Sequence, residues 1–256
     1  MAESNTAGQG ARVAIVTGAG RGLGQFIAAG LHGAGYKVAV TDRNLEDAQA
    51  AAREIDSSGA TAIALKLDVA RKSDFEAALA EIKARWGALH VAVNNAAVTL
   101  STHLMQITPE EFEDVLRINL RGTFLGCQVF GAAMAEAGHG RLVNLASLAG
   151  QNGGTASGAH YAASKAGILT LTKIFARELA AKGVTCNSVA PGPLDLPLVH
   201  QMVPAERLKK MVDDIIPVKR LGDPRFIASM VVQLASPEAA SVTGAAWDAN
   251  GGIFMR

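Results

Sequence analysis

RVAIVTGAGRGLGQFIAAGLHGAG, residues 12–35, decides the fold. Its first part is a β-branched run that ends in glycine. Its second part carries Leu23, Ile27 and Leu31 at helical spacing. A strand, a glycine-rich turn and a helix therefore follow one another without a break. In a βαβ unit such a turn lets the backbone approach a diphosphate closely, and the helix N-terminus favours the negative charge. The glycines are spaced GxxxGxG, at Gly18, Gly22 and Gly24, rather than GxGxxG.

The alternation continues to the end of the chain. Further strands are predicted at KVAVTD (37–42), TAIALKLDV (61–69), LHVAVNNA (89–96), GRLVNLAS (140–147) and VTCNSVAP (184–191), with a last one running into AAWDANGG (245–252). Helices are predicted over 45–59, over 73–87 with Ser73 as N-cap, and over 109–137 with Thr108 as cap and Pro109 at the first position. Two more cover 160–183, stopped by Gly183, and 228–236. Strands apolar on both faces and separated by helices imply a parallel sheet covered on both sides. Right-handed crossovers make it doubly wound. The expected fold class is α/β: one Rossmann-like domain over 11–256, after a disordered polar tail at 1–10, with a substrate lid at about 193–221.

Composition narrows the function. Charged residues are 18% and the net charge is +1, so no global field draws the chain to nucleic acid or an anionic membrane. Mean hydropathy is +0.21, yet no apolar run reaches the roughly 18 residues of a membrane span. The apolar surplus fits a buried sheet plus subunit contacts, hence a homo-oligomer. MAESNTAGQG has no basic or apolar stretch and does not read as a signal peptide. Cys127 and Cys186 sit apart among apolar neighbours, as reduced core residues, and the expected location is cytoplasmic. The six histidines show no metal-ligand spacing, so no metal is expected.

Asp42 ends the second strand, 18 positions after Gly24. An acid there takes the ribose hydroxyls of NAD and repels the extra phosphate of NADP, although Arg43 beside it could clamp that phosphate. Asp68, after the third strand, could cap a helix or bond the adenine amino group. Tyr161 and Lys165 stand four apart in SGAHYAASKAGI (157–168), with no acidic residue in that stretch. On a helix they share a face. A nearby cation favours the phenolate, so the spacing suits a general acid/base with a lowered pKa. Ser147 ends the fifth strand, where doubly wound sheets place ligands, and its hydroxyl could bond a carbonyl oxygen that becomes an alkoxide. Asn119 lies inside a long helix, where a buried amide implies a held water or a distorted turn.

With these residues in order, the chain closely resembles the short-chain dehydrogenase/reductase family over roughly 11–252. TGAGRGLG, the NNAA of 94–97, Asn119, Ser147, Tyr161-Ala-Ala-Ser-Lys165, Pro191-Gly192 and the closing DANGG (248–252) carry the resemblance. It implies Tyr161 as acid/base, Lys165 tuning it and holding the nicotinamide ribose, Ser147 orienting the substrate oxygen, and Asn119 supporting a water-linked proton relay. It implies cofactor contacts from Gly18, Arg21, Gly22, Leu23, Gly24, Asp42, Arg43, Asp68, Val69, Asn95, Ala96, Tyr161, Lys165, Pro191, Gly192 and Leu194. Ser147, Gln151, Tyr161 and Leu198 are the implied substrate contacts. A tetramer or dimer built on the helices of 109–137 and 160–182 is also implied. Three departures stand out: Ala97 for the usual glycine, Leu196 for the usual threonine, and one extra residue between Ser147 and Tyr161, expected in the flexible loop GQNGGTASGAH (150–160) over the substrate.

The family does not name the substrate. Leu196, Leu198, Val199, Met202 and Val203 offer an apolar lid, and His200 reads as a surface residue. Asp42, and the lack of lysine or arginine in GAAMAEAGHG (131–140), favour an NAD-linked dehydrogenase of a small secondary alcohol: a polyol, sugar or cyclic alcohol. The alternative is a 3-oxoacyl-[acyl-carrier-protein] reductase using NADPH. A non-catalytic dinucleotide sensor on the same fold would lack the tyrosine or the lysine, and both are present.

Overall fold

The computed structural model describes residues 11–154 and 158–255. Among them, seven strands form one sheet: β1 Val13–Thr17, β2 Lys37–Asp42, β3 Ala62–Lys66, β4 Val91–Asn94, β5 Gly140–Leu145, β6 Val184–Pro191 and β7 Ala246–Ala249. All pairings are parallel, in the order β3-β2-β1-β4-β5-β6-β7. The order reverses between β1 and β4, the crevice where such sheets bind ligands. Every residue of β1, β4, β5 and β6 is buried, as a sheet covered on both faces requires, and their polar residues, among them Asn94, Asn144 and Asn187, are hydrogen-bonded inside it.

One face is covered by α1 Gly22–Gly33, α2 Leu45–Ile55 and α10 Pro224–Ala235, which pack Ile27, Leu31, Ala48, Ile227 and Leu234 against Val16, Val40 and Val93. The other is covered by α3 Lys72–Trp86, α5 Gly122–Glu136 and α7 Ala159–Leu179, with Phe75, Ile82, Phe130 and Met134 against Ile15 and Leu142. Phe75 and Phe130 meet edge to face at 5.5 Å. The short α8 Pro197–Met202 and α9 Ala205–Lys210 fall inside the expected lid. The expected tail at 1–10 and part of the 150–160 loop lie outside the described residues. The start of that loop is not irregular: α6, Ala149–Asn152, makes one helical turn.

Several boundaries differ from expectation, each for a local reason. α2 stops at Ile55, because both carboxylate oxygens of Asp56 gather the amides and hydroxyls of Ser58 and Thr61 into a turn. Ser73 is not a cap: α3 begins at Lys72, and Asp74 Oδ2 accepts from the Asp68 amide instead. Nor does Asp68 cap a helix; its Oδ1 turns back to the Ala70 amide. α10 starts four residues early, where Asp223 accepts from the Arg225 amide and Pro224 takes the first position. The predicted 109–137 helix is three pieces: α4 Pro109–Leu116, a wide π turn at Arg117–Arg121, and α5. Thr108 does cap α4, accepting from the Glu111 amide.

Candidate active site

The turn after β1 is shaped for a diphosphate. Gly18 and Gly22 have positive φ, at 61° and 63°. A Cβ on Gly18 would stand 2.7 Å from Ala96 Cα, and one on Gly24 would stand 2.3 Å from the Gly18 carbonyl oxygen. Only glycine fits either place. The first turn of α1 has no side-chain cap and no acidic residue, so its amides face the loop without competition. The adjoining wall is tied on by Asn95, whose Nδ2 donates to the carbonyls of Thr17 and Gly18, and by Thr17 Oγ1, which accepts from the Asn95 and Ala96 amides. Thr17 was not among the expected site residues; the threonine before Gly18 was its signal.

Asp42 stands at the end of β2, where expected. Its Oδ2 accepts from the Gly20 amide at 3.3 Å and its Oδ1 from the Asn44 amide at 3.1 Å. The helix cap is Asn44, which leaves Asp42 at the mouth of the loop. Arg43 is exposed beside it and Val69 is buried nearby in chain from Asp68. This cradle fits a nicotinamide dinucleotide, whose diphosphate the glycine turn would hold and whose adenosine ribose would meet Asp42. Pro191 ends β6, and Gly192 donates its amide to Ala249. Leu194 packs into the core cluster, with its side chain buried.

Tyr161, Ser147 and Lys165 come together at the carboxyl end of β5. The Tyr161 hydroxyl lies beside the side chains of Ser147 and Thr99. Ser147 Oγ also accepts from the Ala149 amide at 3.1 Å, which fixes the serine. Lys165 is buried; its Nζ lies 5.6 Å from the centre of the Tyr161 ring and donates to the Leu145 carbonyl at 2.6 Å. Burial lowers the lysine to about 8. The phenol departs from expectation. Tyr161 is half-buried as a residue, but its hydroxyl end is enclosed, and that burial raises its pKa above the ordinary value; Ser147 and Thr99 pull it only part of the way back. The enclosed phenol is thus raised, not lowered as the spacing suggested.

Asn119 sits in the π turn and is fully buried. Its Oδ1 accepts from the Val98 amide, and its Nδ2 donates to the Val98 carbonyl and to Ser164 Oγ. Both amide hydrogens are used, so the side chain braces the segment after β4 against α7. Gln151 Nε2 donates to Asp248 on β7 at 2.6 Å, while its Oε1 is enclosed without a bonding partner. The side chains of Leu198 and Met202 lie outside what the structure describes. Leu196, Val199 and Val203 are half-buried, and His200 is exposed and bonded to Asp195.

Comparison with known proteins agrees with this geometry. Residues 18–253 match the family model described as enoyl-(acyl carrier protein) reductase. The chain is 37% identical to a 3-oxoacyl-[acyl-carrier-protein] reductase of Staphylococcus epidermidis over 243 residues, covering 94% of this chain and 98% of the relative. It is 38% identical to the protein of that name from Vibrio cholerae over 244 residues, 95% and 98% of the two chains. An acetoacetyl-CoA reductase of Shinella zoogloeoides is 39% identical over 244 residues, 95% and 99% of the two. With its glycine turn, buried lysine, and serine and tyrosine at one strand end, the chain belongs to the short-chain dehydrogenase/reductase family, the NAD(P)-dependent oxidoreductases acting on CH–OH groups.

Proposed function

We propose that the protein interconverts 3-oxoacyl and 3-hydroxyacyl thioesters, with Tyr161 as proton donor and acceptor. The similar proteins named above act, by their names, on 3-oxoacyl-carrier-protein and acetoacetyl-CoA, two forms of one β-keto thioester. This supports the thioester alternative over the polyol, sugar or cyclic alcohol favoured by the sequence. The chemistry rests on one observation: the hydroxyls of Ser147 and Tyr161 meet at the end of β5, with buried Lys165 beside the ring. A bound nicotinamide supplies or takes the hydride. Ser147 donates a hydrogen bond to the keto oxygen and holds it against Tyr161, and Tyr161 gives that oxygen its proton as it becomes the hydroxyl. The raised pKa of the phenol suits this direction, because the proton is present at neutral pH.

Asp42 favours NAD(H), since a 2′-phosphate would meet its carboxylate; exposed Arg43 supports the NADPH reading. The absence of lysine and arginine from 131–140 favours a CoA thioester over an acidic carrier protein. Two free, buried thiols fit the reducing cytoplasm, and no helix among the described residues is long and apolar enough to cross a membrane. A homo-oligomer is supported by an apolar groove of about 790 Å³ along α4, the π turn and α7, lined by Phe112, Leu116, Leu120, Phe124 and Leu171. The test is turnover of acetoacetyl-CoA with NADH and with NADPH. Faster turnover with NADH supports both halves, faster turnover with NADPH transfers the selector role to Arg43, and none with either overturns the thioester assignment.

A further inference from the structure

His160 precedes Tyr161, is fully buried, and has no part in the site described so far. Its Nδ1 accepts from the Tyr161 amide at 2.8 Å. That nitrogen must carry no proton, so the ring hydrogen sits on Nε2, which faces Glu111 Oε1 at 2.7 Å. The arrangement answers a local need. Tyr161 is the third residue of α7, one of the four whose amides find no partner within a helix. The N-cap, Gly158, has no side chain to offer, and a Cβ there would stand 2.3 Å from His160 Cε1. The imidazole therefore takes over the capping bond, at the residue that carries the phenol.

Glu111 is recruited from elsewhere. Thr108-Pro-Glu-Glu111 is a capping-box sequence, in which the glutamate ordinarily returns to its own cap. Here its carboxylate meets His160 at 2.7 Å instead and lies beside Thr102, and both neighbours hold it below its usual pKa. The segment between β4 and α4 is thus held around the start of the catalytic helix, directly at Thr99 and Leu100 and through Asn119 and Glu111 at Val98 and Thr102. Val98 is held by Asn119, Thr99 lies beside the Tyr161 hydroxyl, the Leu100 carbonyl accepts from the Gly158 amide, and Thr102 lies beside Glu111.

We propose that His160 and Glu111 are positioning residues for Tyr161: the imidazole caps the tyrosine amide, and the carboxylate locks the imidazole and the 98–102 segment into one body around the phenol. Its catalytic consequence rests on Tyr161 being the proton donor of the proposed reaction; the clamp itself does not. Three substitutions separate the parts. His160→Asn places an oxygen near Nδ1 and keeps the cap. His160→Gln places an NH₂ near Nε2 and keeps the link to Glu111. His160→Leu keeps neither.

The experiment measures, for each variant, kcat and KM on acetoacetyl-CoA together with backbone amide exchange of a peptide containing Tyr161. His160→Leu is expected to lower kcat at least about tenfold with cofactor affinity unchanged. It should also speed exchange at Tyr161 by about tenfold. His160→Asn should restore both most of the way, and His160→Gln should restore them less. Unchanged exchange in a folded His160→Leu protein overturns the clamp. Faster exchange with unchanged kcat overturns its catalytic role, as does equal loss in the asparagine and leucine variants. Failure of the wild type to turn over any thioester counts against the proposed function alone, because exchange still reads the clamp. If His160→Leu does not fold, Glu111→Leu leaves the ring in place but frees its Nε2, and the same two measurements decide.

Discussion

At the residue scale, Tyr161 and Lys165 show how burial and function pull apart. Lys165 is held as a cation with a carbonyl for company and no carboxylate. Its value falls from 10.5 to about 8. A group depressed in the folded state binds fewer protons there than in the unfolded chain, so stability rises with pH between about 8 and 10.5 and carries the full cost below that window. At about 1.4 kcal/mol per unit, that cost is roughly 3 kcal/mol at neutral pH. Lys165→Met removes it, and leaves the Leu145 carbonyl unbonded at about 1–3 kcal/mol. The two nearly cancel, so the variant should melt no lower than wild type at pH 7 and lose ground to it as pH rises past 8. Thermal denaturation across pH reads this; a variant that melts well below wild type at pH 7 contradicts it. The sequence made the four-residue spacing of Tyr161 and Lys165 plain. It did not show the sign of the phenol's shift, because that depends on how deeply the hydroxyl is enclosed. His160 and Glu111 were illegible for a related reason: 49 positions separate them, and only the fold joins them.

At the scale of elements, strands were read more accurately than helix ends. KVAVTD and VTCNSVAP match β2 and β6 residue for residue, each rich in β-branched residues and bounded by turn residues. Helix starts differ from expectation where α3 begins at Lys72 with no side-chain cap and where Asp223 caps α10 four residues early. The break at 117–121 was half legible. An asparagine in an apolar helix implied a distortion, and the π turn is that distortion, widened to aim Asn119 at Val98 and Ser164. Asn119→Leu removes all of these bonds from a buried place and is expected to destabilise by on the order of 3 kcal/mol. It should also increase amide exchange over 98–104. Denaturant melts with peptide-level exchange check both, and an unchanged midpoint contradicts the bracing role.

At the scale of the whole molecule, the alternation of strands and helices was enough to give the sheet, and the glycine turn gave its switch point. Phe112 and Phe124 are each 38% exposed beside the groove along α4 and α7, where the proposed oligomer would cover them. A monomer gains nothing by leaving large apolar side chains in water there. Phe124→Asp should therefore halve or quarter the particle mass seen in sedimentation while leaving the circular dichroism of the fold unchanged. A wild-type protein that already sediments as a monomer contradicts the interface.

The central claim is that a phenol at one strand end moves the substrate's proton. The most direct measurement is steady-state reduction of acetoacetyl-CoA by wild type and by Tyr161→Phe, alongside cofactor titration of both. The phenylalanine ring keeps the packing and loses only the hydroxyl and its proton, so turnover should fall by about 10²–10⁴-fold. Cofactor affinity should stay within about threefold, because the glycine turn and Asp42 are untouched. A Tyr161→Phe protein that turns over within a few-fold of wild type would contradict the account.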